Sequence, residues 1–307
     1  MPVFRRLLVV LALALLATSC SSADTLATVN DSEITKDDLF ALRPSYESTA
    51  SLTSERVRED LSLLVIVEAL KSAANDQFGY TMTEADIDER VSNPPGRYAT
   101  VIAPPEQFAD VTETAIRASA VQSLLRDAVV SELALVESGG FENLINESPE
   151  EVTRACVRHI STATEAEALV VLERLQAGED FVALAAEVSL DQASPGGLIA
   201  AGDGECMVWL TRAGLDFSRL VATAPLNTPV GPVLSDAQWN IIVVEDRIAP
   251  ASAAELAADP MEFLDPDFIS ALYTPWLNDA VRDAEIDISP TVGRWSEAGV
   301  GIAPPGE

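Results

Sequence analysis

Histidine is almost missing from this chain: His159 is the single one in 307 residues. A histidine-rich metal centre is thereby excluded, and a Ser-His-Asp hydrolase would have to use His159 as its base. Cysteine is scarce as well, with Cys20, Cys156 and Cys206 the only three. They form no C-x-x-C and no Cys/His cluster, so no metal site is expected. Positive charge is the third shortage. Nineteen Lys and Arg stand against 49 Asp and Glu, for a formal charge of -30. Such a surface repels nucleic acid and gives no basic patch for anionic lipid. Walker and dinucleotide glycine loops, H-E-x-x-H and Gly-x-Ser-x-Gly are also lacking, which leaves no cofactor motif and no nucleophile elbow.

What is present fills a core: 48% of the residues are hydrophobic, so this is not the composition of a disordered chain. The acidity reads as a highly soluble surface, suited to a salty habitat. At the start, Arg5 and Arg6 precede the apolar run Leu7 to Leu16. That run is too short to span a bilayer and fits the h-region of an export signal. Ala17-Thr18-Ser19-Cys20 then resembles a bacterial lipobox, in which cleavage precedes Cys20 and its thiol carries lipid. An ordinary secretory signal with an incidental cysteine is the alternative. Export exposes thiols to an oxidising environment, and with Cys20 lipidated, Cys156 and Cys206 remain as an even pair, which suggests a disulfide.

Residues 21–152 read as mainly helical. Leu26 to Val29 suggests a short strand, followed by a turn at Asn30-Asp31, and Thr35 caps a helix from Lys36 to Leu42 that Pro44 ends or bends. Apolar spacing predicts long helices over 53–74 and 111–135, with a shorter one over 84–91 capped by Thr83. Ser138-Gly139-Gly140 supplies the stop. From Glu150 the pattern alternates: a strand at 156–161, helices at 164–177 and 180–188, a loop at Ser194-Pro195-Gly196-Gly197, a short helix at 215–222, and a strand at 239–245 led in by a turn after Val230-Gly231-Pro232-Val233. Helices return after Pro250. A possible strand lies at Ile286-Asp287-Ile288, and a Pro/Gly-rich tail follows that is expected to be partly disordered.

Between roughly 153 and 248, an ordered series of motifs resembles a parvulin-type peptidyl-prolyl isomerase. It comprises Val157-Arg158-His159-Ile160, Thr164-Glu165-Ala166-Glu167-Ala168, Leu175 to Phe181, Ala185 to Asp191, Gly196-Gly197, Phe217, Pro225-Leu226, Gly231-Pro232-Val233 and Ile241 to Glu245. The flank Ala27 to Thr35 with its long helices is similar to the N-terminal region of SurA- and PrsA-type extracytoplasmic foldases. The resemblance implies an α+β fold: a helical SurA-N-like chaperone domain at 21–152, behind a signal peptide at 1–20. A parvulin-like α/β domain is inserted at 153–249, with a small antiparallel sheet packed by helices. A C-terminal segment at 250–307 returns to pack on the N-terminal domain.

Residue by residue, the resemblance puts His159 at the first of two family histidines and Asp191 at the carboxylate facing the substrate amide. Phe217 becomes a wall of the proline pocket, with Leu198 at the pocket leucine and Ala213 or Leu215 at the pocket methionine. Ser235 matches a hydroxyl that supports the histidines. The second family histidine falls on Asn240, whose amide can both donate and accept, and a nearby family serine falls on Ala237. No metal or cofactor is implied, since rotation about an X-Pro bond needs no covalent step. Strand alternation turns Cys156 away from the face of His159, so a Cys156–Cys206 bond would brace the site from behind. The implied protein is an extracytoplasmic, lipid-anchored foldase acting on unfolded or extended proline-containing polypeptides. The Asn240 replacement favours the alternative of a non-catalytic holdase or envelope scaffold. A solute-binding lipoprotein is disfavoured, because two similar α/β lobes are lacking.

Overall fold

The computed structural model describes residues 24–42, 54–102, 112–200, 206–296 and 301–306. Cys20 and Pro44 lie outside them. The fold is α+β and divides into two compact units, residues 1–65 with 285–307, and residues 66–284.

In the first unit, β1 (Thr25–Val29) pairs antiparallel with β2 (Ser32–Thr35), and α1 (Lys36–Leu42) follows. Asn30 makes the tight reversal with φ of 51°, a conformation that asparagine tolerates. Thr35 caps α1 through its hydroxyl, which accepts from the Asp38 amide. On the other edge of β1 lies β8 (Ile286–Ile288), giving the order β2-β1-β8. Beyond it, β9 (Arg294–Ser296) and β10 (Gly301–Ala303) form a hairpin inside the tail whose Pro/Gly content suggested disorder. Gly293 permits this hairpin, since a Cβ there would lie 2.1 Å from the Ala303 carbonyl oxygen. Ile302 is buried, and its amide donates to Ser62 Oγ.

The helix α2 (Glu55–Phe78) runs from the first unit into the second. It is followed by α3 (Glu84–Ser92), with a Thr83/Asp86 capping box, then α4 (Ala99–Ile102) and α5 (Glu113–Ser138). Gly139, in the left-handed region at φ of 69°, stops α5. Then come α6 (Phe141–Glu147) and a 3-10 turn over Pro149–Val152. Near the end of this unit α10 (Ala253–Ala258), α11 (Pro260–Phe263) and α12 (Pro266–Asp283) pack on α5 and α6 around Val130, Leu144, Val152, Leu256 and Leu264. Asp265 caps α12, accepting from the Asp267 and Phe268 amides.

Between these helical parts sits an antiparallel sheet of β3 (Arg154–Thr162), β4 (Leu198–Ile199), β5 (Val208–Trp209), β6 (Val230–Ser235) and β7 (Gln238–Ile248). The order is β4-β3-β7-β6, with β5 also pairing β3. On this sheet lie α7 (Glu165–Gln176), started by the Thr164/Glu167 capping box, α8 (Phe181–Val188), capped by Asp180, and α9 (Leu215–Thr223). The two faces hold separate cores. Val157, Ile242 and Val244 face Phe217 and Val221 of α9. Ile160 and Ile241 face Ala168, Val171 and Leu184 of α7 and α8. All five strand side chains have no exposed area, and each contributes about 1.5–3 kcal/mol by leaving water. Val230 to Val233 forms strand rather than only leading into a turn. Pro232 lacks an N–H, and β6 accepts it because it is an edge strand with a bulge. The turn comes later, at Asp236-Ala237.

Candidate functional site

The side chain of His159 lies at the centre of β3, opposite Ile242 of β7. Its free edge is covered almost residue by residue. β5 pairs with Arg154 and Ala155, and β4 with Val157 and Arg158. Gly197 approaches the His159 carbonyl so closely that a Cβ there would lie 2.3 Å from the oxygen. Further on, Leu190 N–H donates to Ser161 O at 2.8 Å, while Ser189 Oγ accepts from the amides of Ser161 and Asp191 at 3.2 and 3.3 Å. These bonds fasten the loop after α8 to the end of β3, and that is how Asp191, 32 residues further on, reaches His159.

The imidazole is held through both nitrogens. Nε2 stands 2.8 Å from Asp191 Oδ2, and Nδ1 stands 3.1 Å from Asn240 Oδ1. Since a carboxylate only accepts, Nε2 carries a proton and donates it. Asp191 also accepts from the Ser194 hydroxyl at 2.6 Å and the Ala193 amide at 2.9 Å. The Ser194 hydroxyl is the largest influence holding the Asp191 carboxyl below its ordinary value; burial opposes it, and the His159 and Ala193 donors add to it. Asp191 is therefore an ionised acceptor at neutral pH. Its side chain is 25% exposed and that of His159 is 14% exposed, so the pair forms the open end of the network. Asn240 and Ser161 form the buried end, at 3% and 1% exposure. Ser161 Oγ donates to Asn240 Oδ1 at 2.6 Å and lies 3.4 Å from His159 Nδ1, and Asn240 Nδ2 donates to Gln238 O at 3.0 Å.

His159, Asp191 and Asn240 are thus brought together. Ser235 is not part of their network and requires a correction. Its hydroxyl donates to Ala213 O at 2.5 Å, which ties the end of β6 to the turn before α9. The hydroxyl beside the histidine belongs to Ser161, which the sequence reading passed over. A strand serine two residues after a histidine shares its face by alternation, and that spacing was the available signal. Phe217 is 2% exposed and belongs to the apolar cluster on the His159 face; Ala213 packs half-buried against that cluster. Leu198 is half-buried in β4 and pairs with Arg158, so it lies on the face away from His159 and does not join Phe217; Leu215 is exposed. Ala237, with φ of 62°, occupies the β6–β7 turn.

The opposite face braces the strand. Arg158 Nε donates to Glu245 Oε1 at 2.6 Å, and its Nη1 to Gly196 O at 3.0 Å. Glu245 is the extra residue of a β7 bulge, since Cys156 pairs with Asp246 while Val157 pairs with Val244. Cys156 is disulfide-bonded to Cys206, across a sequence separation of 50. Among the described residues, no group of three His, Cys, Asp or Glu is placed to hold a metal, and no helix is long and apolar enough to cross a membrane.

No protein-family model and no curated protein matches the chain. The structural neighbours are PrsA- and SurA-like foldases. A PrsA peptidylprolyl isomerase from Bacillus cereus is 19% identical, with a TM-score of 0.38 over 88% of this chain and 95% of that one. The Bacillus anthracis PrsA is 16% identical, with a TM-score of 0.39 over 72% of this chain and 96% of that one. A SurA-like chaperone from Campylobacter jejuni is 14% identical, with a TM-score of 0.28 over 84% and 94%.

Proposed function

We propose that this protein is an extracytoplasmic foldase that rotates X-Pro bonds of unfolded exported chains. One observation carries the reading. A half-buried histidine, hydrogen-bonded through both ring nitrogens and with a carboxylate at its open end, shares a sheet face with the apolar cluster that contains Phe217. Rotation about X-Pro breaks amide resonance, a barrier of about 18–20 kcal/mol. A site lowers it by holding the ring in apolar surroundings and favouring the twisted amide over both planar forms, with no bond made or broken. Here Asp191 and the Nε2–H of His159 supply the polar edge, and Phe217, Ala213 and Leu215 are the apolar residues assigned to the ring. In this reading residues 21–152 and 250–307 form the chaperone domain and 153–249 the isomerase domain. Cys20 carries the lipid that anchors the protein to the outer surface of the cell membrane.

The test is an X-Pro peptide isomerisation assay on the protein lacking residues 1–20. We expect a rate above the uncatalysed background. Asp191→Asn should lower it about tenfold or more, the weight of a charge-assisted hydrogen bond, and Asn240→His should raise it. A background rate with retained suppression of aggregation would instead support the holdase reading, which the amide at position 240 favours. For the anchor, Cys20→Ala should release the protein from membranes, and retention would count against lipidation.

A further inference from the structure

The hydrogen bonds at Nδ1 of His159 do not balance through Asn240. Nε2 faces the Asp191 carboxylate and carries a proton. A neutral imidazole then presents only a lone pair at Nδ1 and needs a donor there. What stands 3.1 Å away is Asn240 Oδ1, an acceptor. The amide is not turned the other way, because its Nδ2 is committed to Gln238 O at 3.0 Å. Ser161 Oγ, 3.4 Å from Nδ1 and 2.6 Å from Asn240 Oδ1, is the donor within reach among the described residues. It carries one proton for two acceptors.

We propose that Ser161 is a positioning residue that sets the tautomer of His159 by sharing its hydroxyl proton between Nδ1 and Asn240 Oδ1. With the proton turned to Nδ1, the ring is fixed as the Nε2–H form and keeps its donor aimed at Asp191. With the proton turned to Asn240, a lone pair at Nδ1 would face the lone pairs of Oδ1, so Nδ1 must itself carry hydrogen and donate to that oxygen. Rotation of one O–H thus follows the state of the ring, with no movement of a heavy atom in a place that is 1% exposed. Ser161 and Asn240 act as a unit, since the amide oxygen alone would pull the neutral ring toward the Nδ1–H tautomer and away from Asp191.

The catalytic meaning of this unit rests on the prolyl-isomerase reading, whereas the tautomer does not, so the two can fail separately. His159 is the one histidine, and two-bond proton–nitrogen correlation of ¹⁵N-histidine-labelled protein reports its ring without ambiguity. With the ring in its neutral form, as its own ¹⁵N shifts report, the wild type should show the Nε2–H tautomer. Ser161→Ala should lower the ratio of Nε2–H to Nδ1–H about fivefold, the weight of one hydrogen bond. Asn240→Ala should move it the other way or leave it at the Nε2–H limit, and it decides the matter if Ser161→Ala fails to fold. An unchanged ratio in folded Ser161→Ala protein, or the same direction of change in both variants, would overturn the proposal. A tautomer shift in a protein without isomerase activity would remove the catalytic reading and leave the role of Ser161 in place.

Discussion

Replacing Glu151 with glutamine should make this protein more stable at pH 8 and no more stable at pH 4. Glu151 lies in the 3-10 turn before β3 and is pushed up to about 7 from an ordinary 4.5. Burial is the largest cause, and the charges of Asp265, Glu150 and Asp267 add to it. Those neighbours have partners. Glu150 accepts from Arg219, Asp265 accepts from Thr211 and two helix amides, and Asp267 pairs with Arg212. Among the described residues no cation is paired with Glu151. Below pH 4.5 the group is protonated whether the chain is folded or not, and it has no effect. As pH rises toward 7, the unfolded chain loses this proton first, so stability falls; above 7 the full penalty is present.

At full weight, a carboxyl moved from 4.5 to about 7 represents about 3 kcal/mol. Glu151 is only half-buried, so solvent screening reduces this to about 1.5 kcal/mol. Urea unfolding of wild type and Glu151→Gln at a series of pH values gives the comparison, and taking the difference cancels most other titrating groups. The variant should gain about 1.5 kcal/mol at pH 8, with the gain vanishing toward pH 4. A difference that does not change with pH, or a variant less stable at pH 8, would refute the reasoning.

The disulfide closes a loop with a separation of 50, for which chain entropy predicts about 4 kcal/mol of stabilisation. Reduction, or Cys156→Ser with Cys206→Ser, should lower the urea midpoint, and intact mass without reductant should show no free thiol on either residue. Gly197→Ala should destabilise by more than about 2 kcal/mol, because a new Cβ meets the His159 carbonyl oxygen at a left-handed φ of 76°; a thermal midpoint within a degree of wild type would count against that close approach. Ala237→Gly should stabilise by about 0.5 kcal/mol, since Asp236 and Ala237 both hold positive φ in the hairpin turn and only glycine does so freely; the readout is the same urea transition.

Much of the sheet domain was legible because its local signals agree with its packing. The alternating apolar residues of β3 and β7, the capping box at Thr164 and Glu167, and the cap at Asp180 each specify an element independently of the rest. The disulfide followed from counting thiols in a chain whose first residues read as an export signal. His159 and Asp191 were singled out through the ordered motifs, though nothing in a sequence states that Ser189 fastens the loop to β3. The misses have a common cause. Ser235 and Ser161 are both strand serines, and only the register of β6 and β3 against β7 decides which hydroxyl reaches the imidazole. Tail composition suggested disorder, yet Gly293 permits a close backbone approach and Ile302 supplies a buried anchor. Pro232 obscured β6, because a strand with an interrupted ladder does not read as one.

The same register makes the histidine depend on groups that never touch it. A slip of β3 by one residue would turn His159 from the Phe217 face to the α7 face and place Ile160 beside Asn240. The sheet resists that slip from several directions. The Glu245 bulge fixes β7 against β3 and presents its carboxylate to Arg158. Arg158 holds the Gly196 carbonyl, and the next residue, Gly197, lies against the His159 carbonyl. Cys156 is bonded covalently to the segment that leads into β5. These restraints act on the backbone and on the far face, which leaves the near face to side chains alone. An imidazole, a carboxylate, an amide and a hydroxyl can therefore exchange hydrogen-bond roles there while β3 stays in place, and this separation lets one serine proton follow the ring without disturbing the fold.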